Sequence, residues 1–157
     1  MRIKIFQWTG KSKRALLKRH STRCVKLVFS DRALDSVKQI NIRLVKKPGK
    51  KSHMGDVSLA KGQPNVYNIR LRSNLDNVDL ISTLAHELMH VAQYADGRLR
   101  SKPGVFVWKK DKKDYKYENI EKTFEEYLNW PWEVEARQFE NTYLAIILRE
   151  AFERNPK

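Results

Sequence analysis

The 32 lysines and arginines of this 157-residue chain leave one long stretch untouched: from Ser73 to Gly97 there is no basic residue of either kind. The stretch, SNLDNVDLISTLAHELMHVAQYADG, reads as a helix from Asn77 to Ala95. Asp76 or Asn77 can cap its start, Asp79 suits its first turn, and Gly97 suits the position just past its end. Leu80, Leu84, Leu88, Val91 and Ala95 recur at helical spacing and form an apolar stripe. The other side carries Ser82, Thr83, His86, His90, Gln93 and Tyr94. A solvated helix face in so basic a chain should carry lysines. This helix is therefore expected to be covered on both sides, and the fold has to be built around it.

The length fits one domain, residues 1–157, and a hydrophobic content of 41% is enough for a packed core. INIRLVKK (40–47) alternates apolar and polar residues, the period of a half-buried strand. DVSLAKG (56–62) is a weaker strand. NVYNIRLRS (65–73) is a third, with Tyr67, Ile69 and Leu71 on one face and Asn68, Arg70 and Arg72 on the other. The short connections between them predict a small, mainly antiparallel sheet of three to four strands. CVKLVFS (24–30) reads as a further short strand, followed by a helix from Asp31 to Gln39 capped by Ser30. A short helix is expected over 120–128, and Pro131 opens a last one that runs to about Arg154. Two basic stretches remain. Residues 1–23 are expected as an N-terminal arm or short amphipathic helix, and residues 98–118, with KKDKKD, as a long loop with room for a hairpin. The class is α+β, a small sheet packed on the central helix.

The net charge of +14 favours polyanions or acidic partners and keeps nucleic acid open as a partner, although no nucleic-acid motif accompanies it. No apolar run approaches the roughly 20 residues of a membrane span, so no membrane partner is expected. The N-terminus lacks the apolar stretch of a secretory signal, which predicts a cytoplasmic protein. The single cysteine, Cys24, can form neither an internal disulfide nor a cysteine-based zinc site, and is expected to fill core.

His86 and His90 are two of only four histidines. On a helix they lie about 40° apart, so both rings can reach one ion. Glu87 lies about 100° round from His86, beside the pair. Zinc suits imidazole nitrogen, and a carboxylate next to a zinc-activated water can take its proton. HELMH is thus an H-E-x-x-H pattern, which points to a zinc site with Glu87 as general base.

A catalytic zinc needs three protein ligands and one open position. His20 and His53 lie in basic stretches and Cys24 in an apolar one. NWPWEVEARQFE (129–140) is the better source, with Glu133 and Glu135 opening a helix. An acidic residue there also offsets the helix dipole. The two glutamates border opposite sides of the apolar stripe Trp132, Ala136, Phe139, Tyr143, Ile146 and Ile147, and spacing does not choose between them.

HELMH followed by PWEVEARQF resembles the short gluzincin metallopeptidases. It is similar to the small metallopeptidases of phages and bacteria, and more distantly to the repressor-cleaving ImmA/IrrE group, which pairs H-E-x-x-H with E-x-x-A on a following helix. The resemblance covers about residues 30–150 in element order but rests on two short motifs. It implies a minimal zincin-like domain, Glu133 as third ligand from Glu133-Val134-Glu135-Ala136, and peptide hydrolysis inside a cell, a phage-infected host included. It also implies that NVYNIRLR lines the substrate cleft. The 98–118 loop is expected as a far wall or lid of that cleft, its lysines favouring acidic substrates, or as a plain solvated loop. Tyr94, Tyr115, Tyr117 and Tyr127 are candidates to steady an oxyanion. The chain departs from the ImmA/IrrE pattern at Arg137, where that group usually has asparagine, and Glu133 follows His90 by a long 43 positions. The SprT-like proteases match less well, since their third ligand is a histidine and none follows His90. Two other readings stand beside the peptidase: a basic nucleic-acid-binding protein, and a catalytically silent zincin that acts as an interaction module.

Overall fold

A computed structural model describes residues 1–6, 10–49, 53–118 and 123–154. The elements run β1 (Arg2–Ile5), α1 (Lys11–Val28), α2 (Asp31–Ser36), β2 (Gln39–Val45), β3 (Gly55–Leu59), β4 (Val66–Arg72) and α3 (Asn77–Ala95). They continue with β5 (Leu99–Lys102), β6 (Val105–Lys110), β7 (Lys113–Glu118), α4 (Phe124–Leu128) and α5 (Pro131–Arg154). The class is mixed α and β, with two sheets. None of the described helices is long and apolar enough to cross a membrane.

The four-stranded sheet has the order β1-β2-β4-β3. β1 pairs with β2 and β2 with β4 in parallel; only β3 runs antiparallel, against β4. The expected mainly antiparallel sheet is therefore corrected to a mainly parallel one. The cause lies in how its faces are used. Parallel strands are usually covered on both faces and read as unbroken apolar runs. Here Ile40, Ile42, Ile69 and Leu71 are buried on one face, whereas Asn41 donates to Asn68 Oδ1 at 2.9 Å and Arg70 pairs with Asp56 on the other. One covered face gives alternation, the signature of an antiparallel sheet, even though the strands are parallel.

α3 lies against α1, α5 and the sheet. Leu80, Leu84, Leu88 and Val91 are fully buried, each contributing about 1.5–3 kcal/mol. Of the two expectations for 1–23 the helix, not the arm, is found: residues 2–5 form a strand, and α1 packs on α3 with Leu17, Cys24 and Val25 buried. The expected strand at 24–30 is the last turns of α1. Its apolar run is short enough to fit either state, and Leu17, Cys24 and Val28 supply the helical period. Lys13 fastens α1 to the chain ahead of α3, donating to the carbonyls of Ser73 and Leu75 at 3.0 and 3.1 Å.

The 98–118 segment is a three-stranded antiparallel sheet, β5-β6-β7, rather than a loop. Leu99 and Trp108 pack on Trp132 with Phe106, Tyr117 and Trp130 around them. Residues 123–128 are a capped turn of helix: Thr123 accepts from the Glu126 amide and the Glu126 carboxylate accepts from the Thr123 amide. The expected start of that helix, residues 120–122, lies outside the described residues.

Candidate metal centre

Three elements bring the site together. α3 starts where the Asp76 side chain accepts from Asp79 N at 2.8 Å and stops at Gly97, whose φ of +71° suits glycine. Its polar side then faces the first four turns of α5. Ala136 and Tyr143 are buried there without exposure, and Ser82 hydrogen-bonds Glu140. Gln93 donates to the Trp132 carbonyl at 3.0 Å and to Glu135 Oε2 at 2.7 Å.

His86 Nε2 and His90 Nε2 are 3.1 Å apart. Glu133 closes the triangle, its Oε2 lying 3.2 Å from His86 Nε2 and its Oε1 3.3 Å from His90 Nε2. Metal–ligand bonds of about 2.0–2.1 Å in a tetrahedral site put neighbouring ligands roughly 3.3 Å apart. The observed spacing is that of three corners of such a tetrahedron.

The opposite edge of each ring decides the chemistry. His86 Nδ1 lies 3.1 Å from Glu140 Oε2, and a carboxylate only accepts. His90 Nδ1 lies 2.8 Å from Gln93 Oε1. The Gln93 amide cannot be turned over, because its Nε2 donates to a carbonyl and a carboxylate. Both rings therefore carry a proton on Nδ1, and each neutral imidazole presents a bare Nε2 lone pair. Two lone pairs and a buried carboxylate converge on one point with no donor between them. Such a point calls for a cation.

With no cation bound, a proton serves. Burial alone would lower the pKa of His86, but hydrogen bonds to Glu133 and Glu140 outweigh it and hold the ring up at about 10. Glu133 shows the complement: burial would raise it, and its bonds to His86 and His90 hold it well below the usual carboxylate range. Only one N–H fits between nitrogens 3.1 Å apart.

Glu87 is 6% exposed and is pushed up to about 7, chiefly by burial. It lines a cleft of about 310 Å³ together with His90, Glu133, Tyr94, Tyr127 and Trp130. β3 forms one wall. It comes so close to α3 that a Cβ on Gly55 would meet Thr83 Cγ2 at 2.7 Å and Glu87 Oε1 at 2.9 Å. The space beside β3 continues past Val57 to Leu59, bounded by Ser101 and Phe106.

The other residues singled out in the sequence go elsewhere. Glu135 faces Arg98, whose Nη1 is 2.7 Å from its Oε1, and Gln93. His20 bonds Tyr143, and Cys24 is buried in the main core. His53 sits at the cleft, its ring 6.1 Å from that of Tyr127. Of the four tyrosines, Tyr94 and Tyr127 line the cleft, Tyr117 packs on Trp132, and Tyr115 is exposed. β4 is paired on both sides, so the free strand edge at the cleft belongs to β3 and not to NVYNIRLR. Sequence reasoning missed Glu140 and the role of Gln93. Glu140 follows Glu133 by seven positions, two helical turns, and that spacing could have shown it. Compared with protein-family models, curated proteins and solved structures, the chain matches none.

Proposed function

We propose that this chain is a zinc-dependent metallopeptidase on a zincin-like domain, with His86, His90 and Glu133 as ligands and Glu87 as general base. The observation that carries the reading is the convergence of His86 Nε2, His90 Nε2 and the Glu133 carboxylate beside the buried Glu87, at the floor of a cleft with a free strand edge. Zinc, when bound, lowers the pKa of a water towards about 7 and polarises a carbonyl. The chain does the rest. Glu140 and Gln93 hold the imidazoles in the ligating tautomer. Glu87, buried beside the ligand atoms and lining the cleft, accepts the proton of the attacking water and returns it to the leaving amine. β3 offers its unpaired backbone to an extended peptide. Tyr127 and Tyr94 are the hydroxyls within the cleft that can meet a developing oxyanion.

Zinc content and hydrolysis of unfolded casein, compared between wild type and Glu87→Gln, test this. The expected result is about one zinc per chain in both, with turnover falling by roughly 10²–10⁴ in the variant. Equal cleavage by the two, or a wild type that takes up no zinc, overturns the reading. Zinc retained with no cleavage by wild type would favour the silent interaction module.

A further inference from the structure

The first thirty residues hold nine lysines and arginines and no aspartate or glutamate. On α1, Lys11, Arg14, Lys18, Arg19 and Lys26 are exposed, and among the described residues none of the five meets a carboxylate partner. At 100° per residue they fall on one stripe about 140° wide and roughly 22 Å long. Along the duplex axis that length covers about six phosphates of one strand.

Beside the stripe, where side chains of α1 and α5 meet, lies a cavity of about 120 Å³ lined by Arg19, His20, Arg23, Ile147, Glu150 and Arg154. Arg23 occupies Glu150 with both Nη atoms, so Arg19 and Arg154 bring uncompensated charge. His20 is 5% exposed, and its Nδ1 lies 2.8 Å from Tyr143 Oη. The other ring nitrogen, Nε2, has no partner among the described residues and is left to meet whatever enters the cavity.

We propose that α1 is a docking surface for the phosphate backbone of duplex nucleic acid, with one phosphate seated between Arg19, His20 and Arg154. A membrane fits less well, because the apolar face such a helix would insert is already packed on α3. A single strand fits less well, because α1 carries no Phe, Tyr or Trp on which bases could stack and its one imidazole, His20, is buried. The surface does not depend on the peptidase reading.

Fluorescence anisotropy with a labelled 20-base-pair DNA duplex and the full chain tests it. Wild type should bind with steep salt dependence. Lys11→Gln/Arg14→Gln/Lys18→Gln should weaken binding and reduce the slope of log Kd on log salt by about 0.9 per lost contact, roughly 2–3 in all. Arg19→Gln/Arg154→Gln should also weaken it. Lys109→Gln/Lys110→Gln/Lys113→Gln removes the same charge from the β6–β7 hairpin and should leave binding near wild type. An equal loss in the hairpin variant overturns the proposal. So does displacement of the duplex by polyglutamate or by phosphatidylglycerol vesicles at matched charge, and so does no binding at low salt.

Discussion

Glu140 Oε2 lies 3.1 Å from Nδ1 of His86, while Glu133, seven residues earlier on the same helix, meets Nε2 of that ring. One imidazole is thus held between two carboxylates of α5, one placed to share a cation and the other to orient the ring. Removing the orienting carboxylate should loosen the metal without removing a ligand. Glu140→Gln is expected to weaken zinc binding by about 10–100-fold, read by competition with a chromophoric chelator. An unchanged affinity would reduce Glu140 to a packing residue.

Glu133 and Glu135 are two positions apart and point to different partners. Glu133→Ala should abolish stoichiometric zinc. Glu135→Ala should keep it, because Glu135 is engaged by Arg98 and Gln93. Metal analysis of the two variants checks the order, and zinc lost only with Glu135→Ala would reassign the ligand.

Chelator-treated protein should lose stability as the solution turns alkaline. The pKa of His86 is raised by folding from its ordinary 6.5 to about 10. A raised pKa stabilises fully below the unfolded value and is lost as pH climbs through the folded one, so the window is pH 6.5 to 10. Glu87, raised from 4.5 to about 7, acts in the same direction at lower pH. Glu133, whose pKa is depressed, opposes them only on the acid side, its contribution being present above 4.5 and lost as pH falls. Thermal melts with EDTA across pH 6.5–10 should show a falling Tm, and zinc should flatten the slope. Zinc uptake at pH 7 should release a proton, measurable by calorimetry in buffers of different ionisation enthalpy.

Gly55→Ala should cost both stability and turnover. The added carbon has no room between β3, Thr83 and Glu87, and relieving such overpacking costs about 1–3 kcal/mol. A Tm unchanged within error would mean that the wall yields freely.

The central helix was legible almost to the residue, because its caps, its apolar stripe and its lack of cations agree. The pair His86 and His90 was legible from spacing alone. Glu133 was not separable from Glu135 by periodicity, since the choice depends on how α5 rolls against α3, and Gln93 and Glu140 set that roll. Strand direction was hidden because one polar sheet face, with Asn41, Asn68 and Arg70, imposes alternation on parallel strands. The β6–β7 hairpin was legible only as room for one within a long loop, because its turn, Asp111-Lys112, takes positive φ values of 50° and 63° without a glycine to announce them.

The free border of β3 has a consequence for which peptides can be read there. A chain laid along it engages the amide hydrogens of every second residue and leaves the intervening ones outward. Proline or an N-methyl group should be refused at the inward positions and accepted at the outward ones. A methylation scan through a cleaved peptide would then show a two-residue rhythm, whatever its side chains.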